Sequence, residues 1–121
     1  MDTTTYKLAR AIGGRSNFAE VTVSIERDAS MNAAYASEHL TDPNVRWGIP
    51  HAIAGAHRAL EEFGDDATSV RIVALIINEA DSNPDIIAVA AYIAASQALS
   101  ADGILQSFVV DGRLNFTPRV R

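Results

Sequence analysis

From Ile86 to Ala101 the chain carries no charged residue. At 16 residues this run falls short of the ~20 that cross a bilayer, and Ala, Ser and Gln dilute it, so burial within the protein is its expected fate. Its start is well specified: Ser82 or Asn83 can cap a helix, Pro84 suits the first position, and Asp85 complements the positive end of the dipole. Apolar or small residues occupy nearly every face from Ile86 to Leu99, which predicts the most buried helix of the fold, ended by Asp102-Gly103.

Around this helix the pattern alternates between strands and one further helix. Tyr6, Leu8 and Ile12 at even positions predict a strand over 5–12, turned at Gly13-Gly14. Over 20–27 the alternation is clean, with Val21, Val23 and Ile25 on one face and Glu20, Thr22, Ser24 and Glu26 on the other. Residues 28–47 read as an irregular connection with a turn at Asp42-Pro43-Asn44. A helix follows, with Pro50 in its first turn and Gly64 as its cap, and its apolar stripe is expected on Ile49, Ile53, Ala56, Leu60 and Phe63. Val70 to Ile77 is an almost unbroken apolar run, the mark of a central strand. Segments 107–110 and 113–116 flank Asp111-Gly112, the favoured dipeptide of a type I′ turn, and predict a terminal hairpin. The order β-β-α-β-α-β-β implies a single α+β domain with two helices on one face of a mixed sheet.

The chain has 121 residues, enough for one domain, and 15 acidic against 10 basic side chains give a formal charge of −5. Global attraction to a phosphate backbone is therefore absent, and any nucleic-acid contact has to come from a local basic patch. Lys7, Arg10 and Arg15 form one basic group; Arg113, Arg119 and Arg121 form another. No cysteine is present, which excludes disulfides and thiolate chemistry. The N-terminus shows no basic segment followed by an apolar run, so a cytoplasmic location without a membrane partner is expected.

No Gly-x-x-x-x-Gly-Lys-Ser/Thr loop is present, so no nucleotide or other cofactor is implied, and no nucleophile, base and acid recur at a catalytic spacing. His51 and His57, six apart on one helix, miss the spacing of a helical metal pair. Glu79, Asp81 and Asp85 lack the glycine and distal glutamate of a calcium loop. The pairs His57 with Glu61 and Arg58 with Glu62 read as solvated i, i+4 contacts, and Asp65-Asp66 as a solubilising turn. No metal site is expected. Arg15 beside Ser16 and Asn17 has the chemistry to grip phosphate through a guanidinium and loop N–H groups, the plain alternative being a turn. Phe18 and Trp47 have faces on which bases stack, although a lone Trp before a helix also serves as an anchor.

Three motifs, in order, resemble domain IV of bacterial elongation factor G. They are the Gly13-Gly14-Arg15 loop before a Val-rich strand, the Gly48-Ile49-Pro50 turn that starts a helix, and the Asp81-Ser82-Asn83 turn before an Ala-rich helix. Asn78 stands where that family usually has a histidine, and Ala80 replaces a valine. The resemblance covers about 6–99. It implies a non-catalytic binding module with the ribosome or structured RNA as partner, contacted through Arg15, Asn17, Asn78 and Asp81 at one tip. The competing expectation is a protein-interaction or homo-oligomerisation module, for which 108–110 offers an apolar edge.

Overall fold

The computed structural model describes residues 3–12, 14–27, 32–101, 108–110 and 113–116. Strands β1 (Thr3–Ile12) and β2 (Arg15–Arg27) form an antiparallel hairpin, followed by β3 (Ala34–Ala36), helix α1 (Ile49–Phe63), β4 (Thr68–Ile76) and helix α2 (Pro84–Ala98). The sheet runs β1-β2-β4-β3, with β3 parallel to β4 and the other neighbours antiparallel. The two short strands β5 (Val109–Val110) and β6 (Arg113–Leu114) pair separately. This is the expected mixed α+β architecture. Among the described residues no helix is long and apolar enough to cross a membrane.

The alternation seen in the sequence places Leu8, Ala19, Val21, Val23, Val70 and Ile72 beneath the helices, all fully buried. Helix α2 packs on β1 and β2, while α1 packs on α2 and reaches β3 and β4. Every residue of α2 from Ile86 to Ser96 is buried, as its uncharged sequence requires. Asn83 provides the cap, its Oδ1 accepting the Ile86 N–H at 2.9 Å. The helix stops earlier than expected. Leu99 caps it and Ser100 takes a left-handed φ of 61°, whereas the predicted stop at Asp102-Gly103 lies outside the described residues.

Three expectations need correction. The segment 32–47 is not wholly irregular: β3 extends the sheet, and a turn of 3-10 helix at Arg46–Gly48 leads into α1. Strand β2 begins at Arg15 rather than 20, because the ladder continues through the pairs Arg10 with Asn17, Ala11 with Ser16 and Ile12 with Arg15. The buried stripe of α1 runs through Ala52, Gly55, Ala56, Ala59 and Leu60, while Phe63 is 40% exposed. Small side chains win because the helices cross at backbone contact: a Cβ on Gly55 would lie 2.0 Å from the Ala88 carbonyl oxygen.

Sheet register shifts once. Thr22 faces Ala74 and Val23 faces Ile72, so Val73 is an extra residue in β4. On the helix-covered side the sequence Val70, Ile72 then steps to Leu75, and Ile76 turns outward, 52% exposed.

The β5-β6 hairpin seals one side of the helix pair. Phe108 is buried, edge-on to Tyr92 at 5.0 Å and stacked on Phe116 at 5.7 Å. Arg58 is more than a solvated partner of Glu62. Its guanidinium lies 5.0 to 5.6 Å from the ring centres of Tyr92, Phe108 and Phe116, and it donates to the Phe116 carbonyl at 3.2 Å. Phe108 is therefore folded inward, and Val109 and Val110 pair with β6 along one edge. The Asp111-Gly112 turn lies outside the described residues.

Candidate functional site: one end of the sheet

At the end of the sheet where β1 turns into β2, two segments distant in sequence are tied together. Pairing of Ile12 with Arg15 leaves two residues for the turn, of which Gly14 has a φ of 79° that favours glycine. Strand β4 stops pairing with β2 at Ile76 opposite Glu20, and the turn that follows takes over the open positions. The Phe18 N–H donates to the Asp81 carbonyl at 2.9 Å, and the Ser82 hydroxyl donates to the Phe18 carbonyl at 2.5 Å. Both main-chain groups of Phe18 are thus satisfied by the turn before α2.

The turn is braced from within. Asn78 Oδ1 accepts the Asp81 N–H at 2.6 Å, an Asx-type bond. Ser82 Oγ accepts the Asn78 N–H at 3.1 Å, and the Ser82 N–H donates to the Asn78 carbonyl at 3.1 Å. Ser82 is 9% exposed, and in the sequence it reads only as a cap. Its use as a bridge follows from strand register, which residue type alone does not reveal.

The four residues singled out by sequence gather here in different roles. Arg15 is exposed, and among the described residues its side chain makes no hydrogen bond or ion pair. Asn78 is exposed and Asp81 half-buried, both on the rim. Asn17 is turned inward, only 8% exposed, and its amide donates to the carbonyls of Arg10 at 3.1 Å and Arg15 at 2.9 Å. It clips the hairpin shut rather than reaching out, because the loop expected at 13–18 is mostly strand. For the same reason the Phe18 N–H is spent on the Asp81 carbonyl and is not offered to an anion.

Two cavities adjoin. One, of about 370 Å³, is lined by Ala9, Ala11, Ser16, Phe18, Asn78 and Asp81, with Arg10 and Asn17 at its side. The other, of about 150 Å³, has Arg15 and Arg113 in its wall with Asn83 and Asp85. The two basic groups of the sequence therefore meet through Arg15 and Arg113; Arg119 and Arg121 lie outside the described residues. Ala9 and Ala11 carry no functional signal in the sequence, although a two-residue Gly-Gly turn fixes the register that sets Ala9 opposite Phe18. Trp47 is 39% exposed and lines neither cavity.

Among the described residues no group of three or more His, Asp or Glu side chains converges to hold a metal. The other titratable contacts lie away from this end. His57 and Glu61 meet at 3.2 Å on the surface of α1. Asp65 is more than a solubilising residue: bonds from the Thr68 hydroxyl and the Ala67 N–H lower its carboxyl below the usual range. Tyr35 donates to Glu26 on the open side of the sheet, which raises the phenol.

No family model matches this chain, and no curated protein matches it. Among solved structures it is similar to a crystal structure from Thermus thermophilus that carries a serial designation rather than a functional name. The two superpose with a TM-score of 0.67 at 16% identity over 81% of this chain. The chain spans only 15% of that protein's length. At this level of identity the likeness speaks to the fold, and the four-stranded mixed sheet with its two helices is thus a shape shared with part of a much longer protein.

Proposed function

We propose that this chain is a non-catalytic binding module whose partner is structured RNA, the ribosome included, engaged through the end of the sheet that carries Arg10, Arg15 and Arg113. The observation that carries the reading is the gathering of these three cations around two adjoining cavities in a chain whose formal charge is −5. Cations concentrated at one end orient an otherwise acidic molecule toward a polyanion. The resemblance of the Gly-Gly-Arg, Gly-Ile-Pro and Asp-Ser-Asn segments to domain IV of elongation factor G supports the same end as the contact. Within the site, Arg15 and Arg10 reach phosphates, Asn78 and Asp81 offer hydrogen bonds at the rim, and Asn17 holds the hairpin in shape.

Sedimentation with ribosomes through a sucrose cushion tests this reading. The wild type is expected to pellet at low salt and to be released as salt rises, with Arg15→Glu staying in the supernatant. Failure of the wild type to pellet with ribosomes or to retain any structured RNA at low salt refutes it.

A second reading, a protein-interaction or homo-oligomerisation module, is favoured by β1. It is a ten-residue strand at the sheet edge, paired only with β2 among the described residues, and such edges accept another strand. Light scattering well above 12.9 kDa that salt does not disperse would support it.

A further inference from the structure

We infer that the larger cleft at this end takes one guanine base of a single-stranded RNA segment, stacked on Phe18 and read by the Asp81 carboxylate. The inference rests on the RNA reading above and adds to it the base that the site selects.

The helices cover one face of the sheet, and among the described residues no element covers the other. On that other face Phe18 stands opposite Ala9, and the next pair along is Ala11 with Ser16. Three small side chains therefore surround one aromatic ring, and the space they leave is the cleft of about 370 Å³, within the range of small-ligand sites. Aromatic rings presented on an open sheet are a general platform for unstacked bases, since every base has a π-face. Phe18 is half-buried, and both its main-chain groups are bonded to the turn, so the platform is fixed before any ligand arrives.

The rim supplies the discrimination. The Asp81 main chain is held on both sides, through its N–H to Asn78 and its carbonyl from Phe18. Its carboxylate has no hydrogen-bond or ion-pair partner among the described residues and lines the cleft. Asn78 spends its Oδ1 on the Asp81 N–H, leaving its amide N–H groups as donors, and Arg10 adds a guanidinium at the side. The site thus offers a two-oxygen acceptor beside several donors. Guanine matches that array: N1–H and the N2 amino group lie side by side to meet a carboxylate, with O6 and N7 as acceptors for Asn78 and Arg10. Adenine and cytosine set a ring-nitrogen lone pair at the equivalent edge, which a carboxylate repels. Uracil has one N–H between two carbonyls. Phosphates flanking the base would meet Arg10 and Arg15, which offset the charge of Asp81.

Fluorescence anisotropy with labelled hexanucleotides tests the inference, comparing oligoadenylate with the same strand carrying one central guanosine. The guanosine strand is expected to bind at least roughly fivefold tighter, the lower end for one bidentate base contact. Asp81→Asn should erase that preference and leave oligoadenylate binding intact or improved. Phe18→Leu, which keeps an apolar side chain but no π-face, should weaken both strands by about fivefold or more; thermal melts confirm that each variant is folded. Equal binding of the two strands by the wild type, or a preference that survives Asp81→Asn, overturns the inference. Salt-sensitive, Arg15-dependent binding that ignores base identity overturns it while leaving the RNA reading standing. Absence of binding to every RNA overturns both.

Discussion

Gly55→Ala places a methyl group where α1 and α2 touch. The added Cβ would sit 2.0 Å from the Ala88 carbonyl oxygen, 2.9 Å from its carbon and 3.0 Å from the Tyr92 nitrogen. These are main-chain atoms of a fully buried helix, so none can rotate aside. Reaching ordinary contact near 3.4 Å requires the helices to part by about 1.4 Å at that point. Such a shift loosens Ala52, Ala56 and Ala59 against α2, a cost at the upper end of overpacking, about 3 kcal/mol. Alanine is favoured over glycine in a helix interior by about 1 kcal/mol, leaving a net loss of about 2 kcal/mol. For a chain of this length that corresponds to a fall in Tm of roughly 6–12 °C. Urea unfolding should show a lower midpoint at unchanged slope. Ala54→Gly, at an exposed position on the same helix, is the control and should cost about 1 kcal/mol. A Gly55→Ala protein about 1 kcal/mol more stable than wild type would mean that propensity governs the site and that the close crossing is wrong.

Three further outcomes follow from particular contacts. Ser82→Ala leaves the Phe18 carbonyl without its hydroxyl donor and the Asn78 N–H without its acceptor; a loss of about 1–3 kcal/mol and faster amide exchange at Asn78 are expected. Ser100→Gly relieves a left-handed residue and should raise stability by about 0.5–1 kcal/mol, read as a higher denaturant midpoint. Burial, then the bond to Glu62, pushes the Tyr92 phenol up to about 12. A raised acid is favoured in its protonated form by folding, so this contribution is complete below the ordinary tyrosine value of 10.0 and is lost as pH rises toward 12. Spectrophotometric titration should show the late phenol in the wild type, moved back toward the ordinary value in Glu62→Gln.

Glu62 itself carries the opposite sign. Burial pushes it up, but bonds from Tyr92 and Arg58 outweigh that and hold it below its usual value of 4.5. Its support for the helix pair is therefore present above the ordinary glutamate range and fades as pH falls through the lowered value.

Legibility in the sequence follows the strength of periodicity. Strand β2 and helix α2 are readable because Val21, Val23 and Ile25 alternate and because nothing between Ile86 and Ala101 is charged. Strand β3 is not: three residues, Ala34–Ala36, are too few to show a period, and they become a strand only because β4 offers an edge beside them. The stripe of α1 misleads for a different reason. Large residues dominate a hydrophobicity pattern, yet Gly55 and its neighbouring alanines are what a close crossing buries. At the candidate site, residue types point to Arg15, Asn78 and Asp81, but pairing decides their roles. Asn17 looks like a loop ligand until its partner across the hairpin proves to be Arg10. Ser82 looks like a cap until Phe18 is placed beside it.

The unpaired Val73 makes the orientation of the turn from Asn78 to Ser82 a matter of counting. Side chains on a strand reverse with each paired residue, so a one-residue change in the pairing exchanges inside for outside downstream. Were Val73 taken into the ladder, every residue of β4 beyond Ile72 would present its opposite side: Ile76 would enter the core, Leu75 would leave it, and the stretch from Asn78 to Ser82 would start from the wrong side of the sheet to reach Phe18. One residue passed over by the pairing thus serves as a parity bit for the molecule, and drawing it into the ladder would abolish the assembled end while leaving every residue named in that end untouched.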